Sequence, residues 1–231
     1  MKKMHLSSER GKSDLGWLKS NFSFSFSNYY NPERTGFGKL LVLNDDIISG
    51  GKGFMSHPHD NMEIITLVYS GELIHKDSIG NTEVIKEGEL QVMSAGRGIT
   101  HSEFNNLKDK SLELFQIWIE TSKEDVMPRH DKRLINLKSN ELTKVVSGNK
   151  NDSTLFINQD AKIYLGKFDK ETKIDYKLKK GKGFFAFVID GKCLIEGSKL
   201  SPRDSIEIYD LKDIEILANK GLYLMIIEVP L

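Results

Sequence analysis

Short runs of branched and aromatic residues, separated by turn residues, extend through nearly the whole chain. Three of the clearest runs cover residues 39–44, 63–69 and 112–119. Side chains of these types fit the pleated surface of a sheet, so the runs predict strands. Turn signals such as those at 70–72 and 86–88 separate them, and no stretch keeps the apolar period of a helix over several turns. The pattern therefore predicts an all-β protein, folded as a sandwich or a barrel.

A weak internal repeat predicts two domains of similar architecture. Residues 69–92 and 189–208 both contain a strand–glycine–strand hairpin that is followed by another strand. Their offset of about 120 residues fits a duplicated domain. The chain of 231 residues is long enough for two such domains. We expect an N-terminal domain over residues 1–130 and a C-terminal domain over residues 131–231, with a linker near residues 122–136.

Composition argues against several classes of function and location. The chain has 33 basic and 33 acidic residues, so its formal net charge of zero provides no field that would attract nucleic acid or an anionic membrane. Its longest apolar runs, such as residues 222–227, are too short to span a bilayer, and the N-terminal residues lack the apolar core of a signal peptide. Cys193 is the only cysteine, so there is no disulfide framework. We expect a cytoplasmic monomer whose two domains cover each other's sheets.

Two histidine-containing triplets predict a metal site. Residues 57–59 have the sequence His-Pro-His, and residues 101–103 have the sequence His-Ser-Glu. Side chains two residues apart on a strand point to the same face, so each triplet presents two ligands to one side of a sheet. If the two strands are close, three imidazoles and a carboxylate converge, and this mixture of nitrogen and oxygen suits Fe, Mn, Ni, Cu or Zn. The repetition of the pattern favours a metal site over histidines that are merely packed or solvated.

The carboxylate ligand has two candidates on pattern alone. Glu103 completes the second triplet, and Glu63 shares strand parity with His59 if no bulge intervenes. Both positions would place a carboxylate on the same face as an imidazole, so the residues leave this choice open.

The other histidines are weaker candidates for metal binding. His75 alternates with the apolar Ile74, which predicts that His75 lies on a solvated face. His5 and His130 lie in polar stretches that we expect to be mobile and away from the metal. No histidine follows His130, so a C-terminal domain copied from the first has no imidazole ligands.

Several segments resemble the motifs of known families. Residues 51–71 resemble the first cupin motif, and residues 88–105 resemble the second, with Ser94 where many cupins have proline. The segment 93–105 is more specific and resembles the signature of pirins. Residues 24–30 and 71–78 are also similar to short bacterial pirin-like proteins of the quercetinase type. This resemblance is strong over residues 15–120 and only architectural beyond them.

The resemblance to pirins implies both a fold and a site. Pirins are bicupins, two jelly-roll β-barrels with a metal, usually iron, in the N-terminal one. The implied ligands are His57, His59, His101 and Glu103. By the same resemblance Glu103 is preferred over Glu63, which is left as a residue that supports the ligands. The expected cofactor is one divalent transition metal, Fe(II), with Mn, Ni, Cu and Zn as alternatives.

The resemblance also implies two alternative functions. The first is a quercetinase-like dioxygenase that uses dioxygen to open the heterocycle of a flavonol or a related aromatic, with Glu103 as the catalytic residue that accepts the proton of the substrate hydroxyl. The second is a non-enzymatic, iron-dependent regulator that senses redox state and binds a protein partner. A cupin sugar isomerase is less favoured, because no sugar-phosphate motif lies near the triplets.

Overall fold

The computed structural model describes all 231 residues, and nearly all of the regular structure is β-strand. The strands of the first half are β1 (Lys2–His5), β2 (Gly11–Asp14), β3 (Leu18–Phe22), β4 (Leu40–Ile48), β5 (Gly53–His59), β6 (Met62–Ser70), β7 (Glu72–Asp77), β8 (Thr82–Lys86), β9 (Glu89–Ser94), β10 (Ile99–Asn105), β11 (Leu112–Glu120) and β12 (Arg129–Leu134). Those of the second half are β13 (Thr143–Ser147), β14 (Leu155–Phe156), β15 (Lys162–Phe168), β16 (Thr172–Lys177), β17 (Lys182–Asp190), β18 (Cys193–Ile195), β19 (Ser198–Leu200), β20 (Ser205–Ile208), β21 (Asp213–Ala218) and β22 (Leu222–Pro230). A short 3-10 helix covers Ser7–Glu9. The all-β prediction is confirmed.

Two barrels are built on one plan. In the N-terminal barrel, a seven-stranded sheet has the order β12-β9-β6-β11-β4-β3-β2, and it faces a four-stranded sheet with the order β5-β10-β7-β8. In the C-terminal barrel, the large sheet has the order β1-β20-β17-β22-β15-β13-β14, and the small sheet has the order β16-β21-β18-β19. The central strands of one barrel therefore have counterparts at the same positions in the other.

The two large sheets pack against each other. A core cluster of 24 buried residues draws on strands of both sheets, for example Phe115 of β11 and Phe187 of β17, whose ring centroids lie 5.7 Å apart. Asp45 of β4 accepts hydrogen bonds from Arg10 and from Arg203, so a buried charge on the first large sheet is paired from both halves of the chain. Apolar burial of this extent holds the barrels together as one body.

One edge of each large sheet is formed by a strand that the sequence did not indicate. β1 pairs with β20 in the C-terminal large sheet, although it lies at the start of the chain. β12 pairs with β9 in the N-terminal large sheet and covers part of the segment 122–136 that was expected to be a linker. Residues 129–134 of that segment therefore form an edge strand, and their charged side chains are typical of one. The domain boundary at residue 130 stays a prediction.

None of the helical structure in this chain is long and apolar enough to cross a membrane.

Candidate metal centre

The two triplets meet on neighbouring strands of the small N-terminal sheet. β5 and β10 are antiparallel, and His57 is the direct register partner of His101. Their ring centroids lie 4.5 Å apart, and that of His59 lies 4.8 Å from His57 and 5.0 Å from His101. The potential ligand atoms of the three imidazoles all lie within 4.8 Å of one another. The structure thus brings together the three predicted histidines.

A break in the strand register sets the position of Glu103 relative to the histidines. The pairing of β10 with β5 shifts between His101 and Glu103, so that Glu103 lies opposite Phe54. Directly beyond the shift, a side-chain carbon on Gly53 would lie 2.2 Å from the carbonyl oxygen of Glu103, a distance that no real contact allows. Glycine is therefore required at position 53 for the two strands to approach here.

The ring nitrogens of the histidines fit a metal ligand set. Nδ1 of His57 lies 2.7 Å from the carbonyl oxygen of Met55, and because a carbonyl only accepts, Nδ1 donates and Nε2 keeps its lone pair. Nε2 of His101 is buried and has no hydrogen-bond partner. A buried polar atom without a partner is costly, and a cation bound by the three imidazoles would satisfy it. The donor set therefore fits a transition metal.

Burial also keeps the imidazoles in the neutral form that a metal needs. Burial is the main cause that lowers the pKa of His101 to about 2, and the neighbouring His57 is the next cause. Burial likewise lowers the pKa of His59 to about 4, again with His57 as the next cause. Both rings are therefore unprotonated at neutral pH, and no proton has to be displaced before a metal binds.

The Glu103 carboxylate lies in a buried polar network inside the barrel. Nε2 of Gln91 donates to its Oε1 at 2.7 Å, Nε2 of Gln116 donates to its Oε2 at 2.5 Å, and Oγ1 of Thr66 lies 3.5 Å from Oε1. Burial raises the pKa of Glu103 to about 7, although these hydrogen bonds oppose the rise. An oxygen of Glu103 lies within 4.8 Å of ligand atoms of His75 and His101. The structure thus places Glu103 beside one of the three clustered histidines, and its role as the fourth ligand stays a prediction.

Glu63 has a different environment. Its Oε2 accepts a hydrogen bond from Oγ of Ser94 at 2.5 Å, and its Oε1 accepts one from Nδ2 of Asn158 at 3.0 Å. Burial raises the pKa of this carboxyl group, while both hydrogen bonds lower it. Asn158 belongs to the second half of the chain, and Glu63 makes no hydrogen bond to the clustered histidines. Glu63 therefore joins the two halves of the chain.

The prediction that His75 lies on a solvated face is wrong. His75 is 0% exposed, whereas its neighbour Ile74 is partly exposed. Alternation along β7 correctly separates the two residues, but it does not tell which face is the interior. His75 lies between β8 and β10, and its ring centroid is 5.2 Å from that of His101.

The expectation that His130 and His5 lie in mobile polar stretches is also wrong. His130 belongs to β12, and its ring stacks on that of His75 with a centroid distance of 4.2 Å. Nε2 of His130 lies 2.9 Å from Oε1 of Gln91, the same side chain that donates to Glu103. His5 is buried in β1 at 6% exposure, and its Nε2 lies 2.9 Å from Oε1 of Glu207. His75 and His130 therefore surround the candidate site, and His5 does not.

Aromatic rings surround the more exposed side of the cluster. The ring centroid of Trp118 lies 5.0 Å from that of His59, and the centroid of Phe26 lies 5.4 Å from Trp118. On the other side, Phe54 lies 6.4 Å from His57. His57 and His59 are only partly buried, so this side of the cluster faces solvent. A flat apolar ligand could reach the histidines between these rings.

Comparison with known proteins gives the same picture over the whole chain. The family model described as Pirin matches residues 3–119, and the model described as quercetinase C-terminal cupin domain matches residues 144–229. A quercetin 2,3-dioxygenase of Escherichia coli strain K12 is 37% identical over 222 residues, which cover 96% of this chain and 96% of that protein. A pirin-like protein of Caulobacter vibrioides is 35% identical and covers 94% of this chain and 95% of its own length.

A solved structure extends the comparison to three dimensions. The crystal structure of the bacterial pirin YhhW from Escherichia coli in complex with nickel(II) has a TM-score of 0.96 with this chain at 36% identity, and the match covers 100% of this chain and 99% of that one. The predicted two-barrel bicupin fold is thereby confirmed. On sequence and structure together, this chain belongs to the pirin family.

Proposed function

We propose that this protein is a metal-dependent dioxygenase that opens the heterocycle of a flavonol or a related aromatic substrate. The observation that carries the proposal is the buried, unpartnered Nε2 of His101 in a cluster with two partly exposed imidazoles, His57 and His59, beside aromatic rings. The names of several relatives, quercetin 2,3-dioxygenase, support this choice of reaction.

The proposed metal site consists of His57, His59 and His101, with Glu103 as the fourth ligand. Fe(II) is the ion we propose, although nitrogen and oxygen ligands also suit Mn, Ni, Cu and Zn. The related pirin YhhW has been crystallised with nickel(II), which supports a divalent transition metal in this family. When bound, such an ion supplies Lewis acidity toward the hydroxyl and ketone oxygens of a flavonol and makes its reaction with dioxygen possible.

The side chains around the cluster would bind and orient the substrate. Trp118 and Phe26 offer ring surfaces for a flat aromatic molecule, and such contacts are worth about 1 kcal/mol each beyond the buried area. Four protein ligands leave about two positions of a six-coordinate ion for other molecules, as a catalytic site needs. On the inner side the histidines face the buried polar network of Glu103, and apolar clusters lie on either side of that network.

Glu103 is the proposed base. Burial raises the pKa of Glu103 to about 7 in the metal-free protein, and a bound cation would lower it, so the group would be an ionised carboxylate that can accept a proton at neutral pH. Gln91 and Gln116 each hold one of its oxygens, so the carboxylate keeps its orientation while it accepts the proton of the substrate hydroxyl. The flavonol anion that results is the electron-rich species that reacts with dioxygen.

The test is oxygen uptake with simultaneous loss of flavonol absorbance, measured on protein loaded with Fe(II), Ni(II), Mn(II) or Cu(II). We expect turnover with at least one of these ions, and no turnover above the metal-free background for His57→Ala. No oxygen uptake with any of the ions, or equal rates for the wild type and His57→Ala, would contradict the proposal.

The redox-sensing regulator with a protein partner stays the alternative prediction for the function. The cytoplasmic location and the monomeric state also stay predictions. A partner that binds only the Fe(III) form, together with no turnover of flavonols, would favour the regulator.

A further inference from the structure

We propose that His75 and Asp77 are positioning residues, which fix the tautomer and the ring orientation of His101 so that its Nε2 is available to the metal. The inference rests on the metal site of the proposed function, and it adds two residues that are not ligands. It follows from a chain of three buried side chains, in which the direction of each hydrogen bond can be derived.

The first step is the contact between His75 and Asp77. Nε2 of His75 lies 3.2 Å from Oδ2 of Asp77, and both side chains are fully buried. The backbone N–H groups of Ile79 and Asn81 donate to Oδ1 of Asp77, and Nδ2 of Asn81 donates to Oδ2. A carboxylate with so many donors acts only as an acceptor, so Nε2 of His75 carries the proton.

The second step is the contact between the two imidazoles. Nδ1 of His75 lies 3.4 Å from Nδ1 of His101, and both rings are buried. A neutral imidazole has one donor and one acceptor, so with its proton on Nε2, His75 accepts at Nδ1. His101 therefore donates from Nδ1, and its lone pair lies on Nε2, the buried atom that has no partner. This is the tautomer that a metal ligand requires.

The third step concerns rigidity. His75 is held between β8 and β10, and its free ring face stacks on His130 with an interplanar angle of 13°. His130 is itself held by Gln91, which also holds Glu103. The ring of His75 therefore has a fixed position, and the cost of ordering His101 is met during folding rather than on metal binding.

His75, His101 and Glu103 also form a group with metal-ligating atoms close together. The contacts argue against a second metal there. Nδ1 of His101 and Nδ1 of His75 are within hydrogen-bonding distance of each other, so neither nitrogen is free for a second ion. This group is better explained as the inner wall of the single site.

The experiment compares Ni(II) affinity in His75→Phe and His75→Asn, measured by competition with a chelator. Phenylalanine fills the space of the ring but offers no acceptor, so we expect affinity to fall about 10- to 100-fold. The side-chain oxygen of asparagine can stand where Nδ1 stood, so His75→Asn should stay within about threefold of the wild type. The absorption spectrum of bound Co(II) should change in His75→Phe and not in His75→Asn.

Three controls separate the possible explanations. His5→Phe replaces another buried histidine, away from the site, and should leave the Ni(II) affinity unchanged. Thermal unfolding of the metal-free proteins shows whether each variant is folded, and His75→Leu, which also offers no acceptor, replaces His75→Phe if the latter is not. Asp77→Asn should also weaken Ni(II) binding. The backbone N–H groups of Ile79 and Asn81 hold the amide oxygen in the place of Oδ1, so the amide NH2 group faces Nε2 of His75, which then has no acceptor.

The outcomes are distinguishable from failure of the proposed function. If wild-type protein does not bind Ni(II), the metal site itself is wrong and both proposals fail. If the wild type binds Ni(II) and His75→Phe binds equally well, only the positioning role is overturned. Equal weakening by phenylalanine and asparagine would also overturn it, since the loss would then reflect packing.

Discussion

The two barrels share a strand order but differ in what fills them. In the N-terminal barrel, the inward positions of β10 hold His101 and Glu103. At the same place in the C-terminal sheet, the inward positions of β21 hold Ile214 and Ile216, which pair with Tyr176 and Ile174 of β16. The architecture therefore does not require polar residues at these positions, and their presence in one barrel marks that barrel as the candidate for the metal site.

The comparison also shows how the polar interior is tolerated. The C-terminal barrel is filled by one apolar cluster of 17 buried residues. The N-terminal barrel has two smaller clusters, of seven and four buried residues, on either side of a polar band. Within that band Thr66 is the register partner of both Gln91 and Gln116, so one row of side chains across three strands holds Glu103. Hydrogen bonds replace apolar packing there, since unpaired polar groups would destabilise the fold.

The largest predicted effect concerns Glu103, which has no carboxylate counterpart at the inward positions of β21. Glu103→Gln keeps the shape but removes the charge and the base, so we expect flavonol turnover to fall about 100-fold or more and bound metal to decrease. Metal content by atomic emission and oxygen uptake provide the measurements.

Glu63→Gln is the matched control, because Glu63 is another buried carboxylate on the opposite sheet. It should lose interdomain hydrogen bonds and stability, yet retain metal and turnover. Complete loss of metal in Glu63→Gln with full retention in Glu103→Gln would reverse the assignment.

A second prediction concerns the apolar barrel. Ile216→Ala removes a fully buried side chain from the C-terminal core, and we expect the free energy of unfolding to fall by about 2–5 kcal/mol. His5 on the edge strand β1 is the only imidazole of this barrel, and it lies away from the candidate site, so metal bound per chain should not change. Denaturant unfolding gives the stability, and metal analysis of the same preparation gives the metal bound per chain. A loss of metal without a loss of stability would contradict the assignment of the metal site to the N-terminal barrel.

The third prediction is a pH dependence of stability that arises from a buried carboxylate in the polar barrel. Asp46 lies inside the N-terminal barrel at 3% exposure, and burial raises its pKa to about 7. In the unfolded chain the pKa is about 3.9, so between about pH 4 and pH 7 only the unfolded state releases the proton, and stability falls as pH rises. The asparagine in Asp46→Asn cannot ionise. Relative to the wild type, the free energy of unfolding of the metal-free variant should therefore rise by up to about 4 kcal/mol between about pH 4 and pH 7.

Chemical denaturation of the metal-free proteins at several pH values tests this. Asp14→Asn, at a carboxylate whose side chain is 61% exposed, is the control and should give a difference from the wild type that does not vary with pH. If the difference in the free energy of unfolding between Asp46→Asn and the wild type also does not vary with pH, Asp46 is ionised in the folded protein over the whole pH range, and the prediction is wrong.

Local patterns predicted much of this molecule. The alternation within residues 57–59 and 101–103 correctly placed two side chains of each triplet on one face, because strand parity is a property of a few consecutive residues. The same alternation gave the wrong face for His75. Alternation shows which residues of a strand share a face, but it does not show which of the two faces is covered by other strands. The residues of β12 are mostly charged and give no apolar pattern, so this edge strand was not predicted.

The hydrogen-bond network around Glu103 could not be predicted from the sequence, for a different reason. Gln91, Gln116 and Thr66 come from three strands that are distant in the chain, and only their register brings them to one carboxylate. No local pattern indicates such a register, and none indicated that His130 would stack on His75.

The most direct test of the central claim, that one barrel alone holds a metal, is anomalous diffraction from crystals grown with Ni(II) or Fe(II). We predict a single strong anomalous peak per chain, within bonding distance of Nε2 of His57 and His101, a nitrogen of His59 and an oxygen of Glu103. A peak bound by Glu63 instead of Glu103, a second peak in the C-terminal barrel, or no peak in the N-terminal barrel would contradict this account.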